Sequence, residues 1–129
     1  MAVLEDEEAT RALPVIDIRT PAGSWYDYAH RYMPGLSEHI IPAPFAPEVY
    51  RRCEEVALLA HAALGCRDLS RVDMIVREGV GPIVLELNTL PGMTPTSLYP
   101  DAAQAAGISL PDLVARLVRR AWLRSAKAP

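Results

Sequence analysis

Two runs of strand-forming residues, Arg71 to Arg77 and Ile83 to Asn88, are joined by Glu78-Gly79-Val80-Gly81-Pro82, whose glycines and proline are turn residues. So short a connection leaves only an antiparallel pairing. Side chains alternate along a strand, which puts Arg71, Asp73, Ile75 and Arg77 on one face and Val72, Met74 and Val76 on the other. Across the turn, Val84, Glu86 and Asn88 alternate with Ile83, Leu85 and Leu87. If Arg77 faces Pro82, Asp73 stands opposite Glu86 and Arg71 opposite Asn88, and all four polar groups share a patch. A slip of one residue would scatter them.

Two carboxylates directly opposite each other repel, so the patch calls for a cation. One reading is a solvated polar face in which Arg71 pairs with an acid. The other is a metal site, for which the oxygen donors of Asp73, Glu86 and Asn88 suit hard Mg²⁺ and not zinc. The hairpin alone leaves both open. Beyond it, Asn88-Thr89-Leu90-Pro91-Gly92-Met93-Thr94-Pro95 leaves the strand for a loop of prolines, hydroxyls and a glycine, where backbone amides can turn towards an anion.

A chain of 129 residues suits one domain and can bury roughly two thirds of its unfolded surface. The net charge is -3, and the only basic stripe is Arg116, Arg119, Arg120 and Arg124, expected to solvate a helix face, so no nucleic-acid partner is expected. The first residues are acidic and no apolar run is long enough to cross a bilayer, so the expected setting is the cytoplasm with no membrane partner. Cys53 and Cys66 have no ligand spacing and read as free thiols; His61, among alanines and leucines, reads as a packing residue.

Leu13 to Ile18 has strand composition and Val3-Leu4 can be its partner, with Glu5 to Glu8 as the turn. Residues 21–44 hold no sustained period and read as one long irregular loop, an uncommon feature that is often a functional lid. Pro47 opens a helix with Val49, Cys53, Val56, Ala57, Ala60 and Leu64 at helical spacing, and Gly65 stops it. A short helix is expected over 101–106, then a last helix capped at Ser109 with an apolar stripe of Leu113, Val114, Leu117, Val118 and Ala121. The class is α+β, an antiparallel sheet with helices packed on one side.

Gly65-Cys66, Arg71-Val72-Asp73, the run Leu85 to Leu98 and Ala105-Ala106-Gly107-Ile108-Ser109 resemble the C-terminal end of D-alanine:D-alanine ligases, members of the ATP-grasp superfamily. Leu13 to Ile18, Trp25 to Tyr32 and Pro42-Ala43-Pro44 are similar to that family in the same order, so the resemblance covers nearly the whole chain. It implies that residues 1–129 form the C-terminal part of an ATP-grasp domain, with a lid at about 21–44. The family's N-terminal domain and most of its central domain have no counterpart here.

The resemblance further implies ATP as co-substrate with two Mg²⁺ or Mn²⁺ ions held by Asp73, Glu86 and Asn88, Glu86 being shared. Arg71 would contact the transferring phosphoryl group, Gly92 would offer an oxyanion amide, and Ser97 with Leu98 would bind the carboxylate of the second D-alanine. Tyr32 matches the residue that closes the lid. Arg31 stands where the family has a phosphate-facing lysine, which keeps the charge but changes the geometry. The implied product is the D-alanyl dipeptide of peptidoglycan, made through an acyl phosphate, although the chain alone is expected to be inactive. Expected partners are D-alanine, ATP, a complementary ligase fragment or a second copy. The alternatives are a non-catalytic remnant or interaction module, and a ligase for another amino acid pair.

Overall fold

The computed structural model describes residues 1–7, 9–20 and 37–126. Within them lie strands β1 (Ala2–Glu5), β2 (Thr10–Ala12), β3 (Asp17–Arg19), β4 (Glu38–Ile40), β5 (Leu69–Arg77) and β6 (Gly81–Asn88). The helices are α1 (Pro47–Ala63), α2 (Leu98–Ala105) and α3 (Leu110–Ser125). Four strands form an antiparallel sheet in the order β2-β1-β5-β6, and β3 pairs with β4 in a separate ribbon.

The α+β class holds, but the helices cover both faces of the sheet. Alternation along β1 divides the core. Val3 packs with Val72 and with Ala57 of α1, whereas Ala2 and Leu4 pack with Tyr99, Ala102 and Ala103 of α2 and Leu113 of α3. Replacing the fully buried Leu4 by alanine would cost about 2–5 kcal/mol. The Tyr99 hydroxyl donates to the Val3 carbonyl at 2.8 Å, satisfying a buried polar group and tying α2 to the sheet. On the opposite face, buried His61 of α1 meets the Ser70 hydroxyl at 2.8 Å, and burial pushes its ring towards the neutral form; this is the packing histidine the sequence suggests.

Helix α1 starts at Pro47, where a missing N–H costs nothing, and the chain leaves it through Gly65 at φ +60°, a left-handed conformation that glycine adopts without strain. Ser109 caps α3 by accepting the Asp112 amide at 3.2 Å. The core stripe of α3 is Leu110, Leu113 and Leu117; Val114 and Val118, expected to share it, are 43% and 62% exposed. The arginines of α3 do more than solvate its surface. Arg120 binds Glu5 and Asp68, Arg124 binds Asp68, Arg116 lies 3.6 Å from Asp6, and Arg119 binds Glu7.

Three further local expectations differ from the structure. β1 pairs with Thr10–Ala12 and not with Leu13 to Ile18, because the Asp6 amide donates to the Ala9 carbonyl and the Asp6 carboxylate accepts the Ala9 amide, which closes a tighter turn. Helix α2 begins at Leu98, earlier than residue 101. Within the span read as one irregular loop, Glu38–Ile40 forms β4 against β3. Residues 21–36 of that span lie outside the described residues.

Candidate functional site

Helices α2 and α3 cover one face of the sheet at β1 and leave its β5–β6 half open. On this open area the hairpin sets Arg71 opposite Asn88 and Asp73 opposite Glu86, as the sequence led us to expect. The route differs. Arg77 pairs with Gly81, not Pro82, so the turn is one residue shorter, and a β-bulge between Asp73 and Met74 takes up the extra residue of β6. The two differences cancel at the patch but not between it and the turn. Ile83 now pairs with Ile75 on the Arg71 face, and Val84 pairs with Met74 on the face towards α1, the reverse of the simple alternation.

The Arg71 guanidinium grips Asp73 through two hydrogen bonds, Nε to Oδ1 and Nη2 to Oδ2, each 2.8 Å. Its side chain is only 11% exposed, and Glu86 across the ladder is 3.8 Å away and 55% exposed. This bidentate geometry fixes the cation more tightly than a single contact would. One guanidinium therefore serves two carboxylates, and the trio keeps a negative balance on an accessible surface. Asn88 is engaged differently. Its Oδ1 accepts the Leu90 amide at 2.8 Å in an Asx turn that starts the following loop.

A cleft of about 520 Å³ lies over this patch. Arg71, Asp73 and Glu86 line its polar side and Ile16, Ile18, Ile75, Leu85 and Leu98 its apolar side. The sequence reading missed Ile16 and Ile18, although their alternation around Asp17 was a signal that one face of β3 would meet something apolar. The loop after Asn88 folds back on itself: a Cβ built on Gly92 would lie 2.8 Å from the Ser97 hydroxyl oxygen. Ser97 stands before α2 but makes no side-chain cap; its hydroxyl turns to Thr94. Arg71, Asp73, Glu86 and Leu98 thus share the cleft, and Gly92 and Ser97 touch each other. Arg31 and Tyr32 lie outside the described residues.

The family model for the D-ala D-ala ligase C-terminus matches residues 1–119. The chain belongs to that family. Among its relatives, the D-alanine--D-alanine ligase of Desulforudis audaxviator is 52% identical over 123 residues, which is 95% of this chain and 39% of the relative. That of Halalkalibacterium halodurans is 48% identical over 119 residues, 92% of this chain and again 39% of the relative. The chain therefore spans well under half the length of the curated ligases it matches.

Solved structures agree on the fold. A D-alanine--D-alanine ligase from Bacillus anthracis, crystallised with ATP, superposes with a TM-score of 0.74 at 30% identity over 98% of this chain and 39% of that one. The VanG D-Ala:D-Ser ligase from Enterococcus faecalis gives 0.70 at 33% identity over 91% of this chain and 34% of that one. The family's C-terminal fold is present here.

Proposed function

We propose that this chain carries the metal-binding and acceptor-binding half of an ATP-dependent, ADP-forming ligase that joins two D-alanines, with the remaining machinery on further polypeptide. The observation that supports this most is the pairing of Asp73 with Glu86 beneath a cleft that also holds Arg71 and Leu98. Two carboxylates and an amide oxygen form a hard donor set only partly neutralised by Arg71, which fits Mg²⁺ or Mn²⁺. Asp73, Glu86 and Asn88 would hold two ions, with Glu86 shared, and Asn88 would use the lone pair that Leu90 leaves open. When bound, the ions supply charge neutralisation for the phosphates of ATP.

In this reading the γ-phosphoryl group passes to a carboxylate oxygen of the first D-alanine and ADP leaves. The amine of the second D-alanine attacks the acyl carbon, the C–O bond to phosphate breaks, and the amine loses a proton. Both steps concentrate negative charge on oxygen. The Arg71 guanidinium, held still by Asp73, stabilises that charge without reorganising, and the Gly92 amide is a second donor. Ser97 and the Leu98 backbone receive the acceptor carboxylate. Arg31 is assigned to phosphate and Tyr32 to lid closure over 21–44. The dipeptide would serve peptidoglycan synthesis in the cytoplasm.

Mixing this chain with a polypeptide carrying the unmatched part of the Desulforudis audaxviator ligase tests the reading. D-alanine-dependent ADP release is expected from the mixture and not from either part alone, nor with Glu86→Gln. A folded mixture without turnover, together with no Mn²⁺ binding by this chain, would overturn it in favour of a non-catalytic remnant. D-serine offered as acceptor in the same assay separates the VanG-like amino acid pair. Exposed Ile75, Ile83 and Leu85 favour association with that complementary fragment or with a second copy. Sedimentation as a monomer at high concentration would count against the second copy.

A further inference from the structure

We infer that Thr94 is a positioning residue that aims the Ser97 proton at an incoming carboxylate, an inference that rests on the assignment of Ser97 to the acceptor. Ser97 occupies the N-cap position of α2 with extended backbone, φ -86° and ψ 144°, where a serine ordinarily accepts an amide of the first helical turn. It makes no such bond. Pro100, in that turn, has no N–H to offer, which removes one of the two amides a cap would use. The hydroxyl turns back instead. Its oxygen accepts the Thr94 amide at 3.2 Å and lies 2.7 Å from the Thr94 hydroxyl, while the Ser97 amide donates to the Thr94 carbonyl at 2.9 Å.

A serine hydroxyl has two lone pairs and one proton. The Thr94 amide takes one lone pair. When an anion takes the Ser97 proton, the 2.7 Å contact can persist only with the Thr94 hydroxyl as donor, which fills the second lone pair and fixes the O–H direction. Gly92 makes room for this arrangement, since any Cβ there would meet the Ser97 oxygen. Thr96 contributes little: its hydroxyl lies 3.4 Å from that of Thr94, too long for a strong bond. The chemistry served is recognition of a small carboxylate by an oriented hydroxyl.

D-alanine titrated into the isotope-labelled chain, followed through the Ser97 and Leu98 amide resonances, reads the effect directly. Losing one donor to an anion-binding hydroxyl should weaken binding about tenfold in Thr94→Val. Thr94→Ser, which restores the hydroxyl, should lie within about twofold of the original chain, and Thr96→Val should be unchanged; a merely structural role for Thr94 would not track the hydroxyl this way. Ser97→Ala should weaken binding at least as much as Thr94→Val. If Ser97→Ala weakens binding and Thr94→Val does not, the Thr94 inference fails while the Ser97 assignment stands. If Ser97→Ala binds normally, or the original chain shows no response, both fail.

Discussion

Two aspartates five residues apart bracket the start of β5, and their surroundings are opposite. Asp68 is met at 2.7 Å by Arg120 and Arg124, which reach it from α3, and its backbone exchanges two hydrogen bonds with Glu5. Asp73 is met by one arginine from its own strand and faces a second carboxylate. The first centre has arginines enough for its acids and ties elements distant in sequence together. The second has one arginine for two carboxylates and opens onto a cleft. A satisfied charge cluster holds the fold, whereas an under-neutralised one is available to a ligand.

The comparison predicts that Asp68→Ala is the most damaging change at either centre. It takes the carboxylate from Arg124, leaves Arg120 with Glu5 alone and puts alanine at φ +65°, so a loss of about 2–4 kcal/mol in chemical denaturation is expected. Asp68→Asn, which tolerates that backbone, should cost less. A loss no larger than that of an ordinary surface substitution would erase the distinction between the two centres. The pH dependence follows. Burial alone would push the Asp68 carboxyl up, but hydrogen bonds from Arg120 and Arg124 and their charge outweigh it and hold it below the usual carboxylate range. A lowered folded-state value stabilises above the unfolded value, so this contribution is intact above about pH 4 and is lost as pH falls further. Asp68→Asn should flatten the acid limb of the stability curve, and an unaltered limb would contradict the assignment.

At the open centre the expected loss is in binding. Glu86→Gln should leave stability within about 0.5 kcal/mol, since it removes a repulsion at a half-exposed site, yet lower Mn²⁺ affinity on the order of tenfold. Electron paramagnetic resonance of free Mn²⁺ measures this, and unchanged affinity would restore the reading of a plain solvated face. A small stability effect, below about 1 kcal/mol, is also expected from Gly92→Ala, because the group it displaces is the rotatable Ser97 hydroxyl. The same change should abolish any D-alanine response at Ser97, and a retained response would show that the contact is not needed.

The patch was legible because alternation and a turn of known chemistry fix which residues can face each other. The bulge was not, since nothing near Leu85 marks it as supernumerary; the patch came out right because a turn read one residue too long offset a ladder read as regular. Ile83 and Val84, which lie between the two, exposed the discrepancy. β3 and β4 are too short to impose a period on their surroundings, and Asp68 gains meaning only from arginines 52 and 56 residues away. Val114 and Val118 misled for another reason. Helical spacing shows that residues share a side, but not which of two apolar sides meets the core.

The irregularity at Asp73 and Met74 also has a bearing on how this hairpin can change. It is one residue of slack, stored between the tip and the charged end. Lengthening the tip by a single residue and straightening β6 would leave Asp73 facing Glu86, so loop length can drift while the chemistry stays in register.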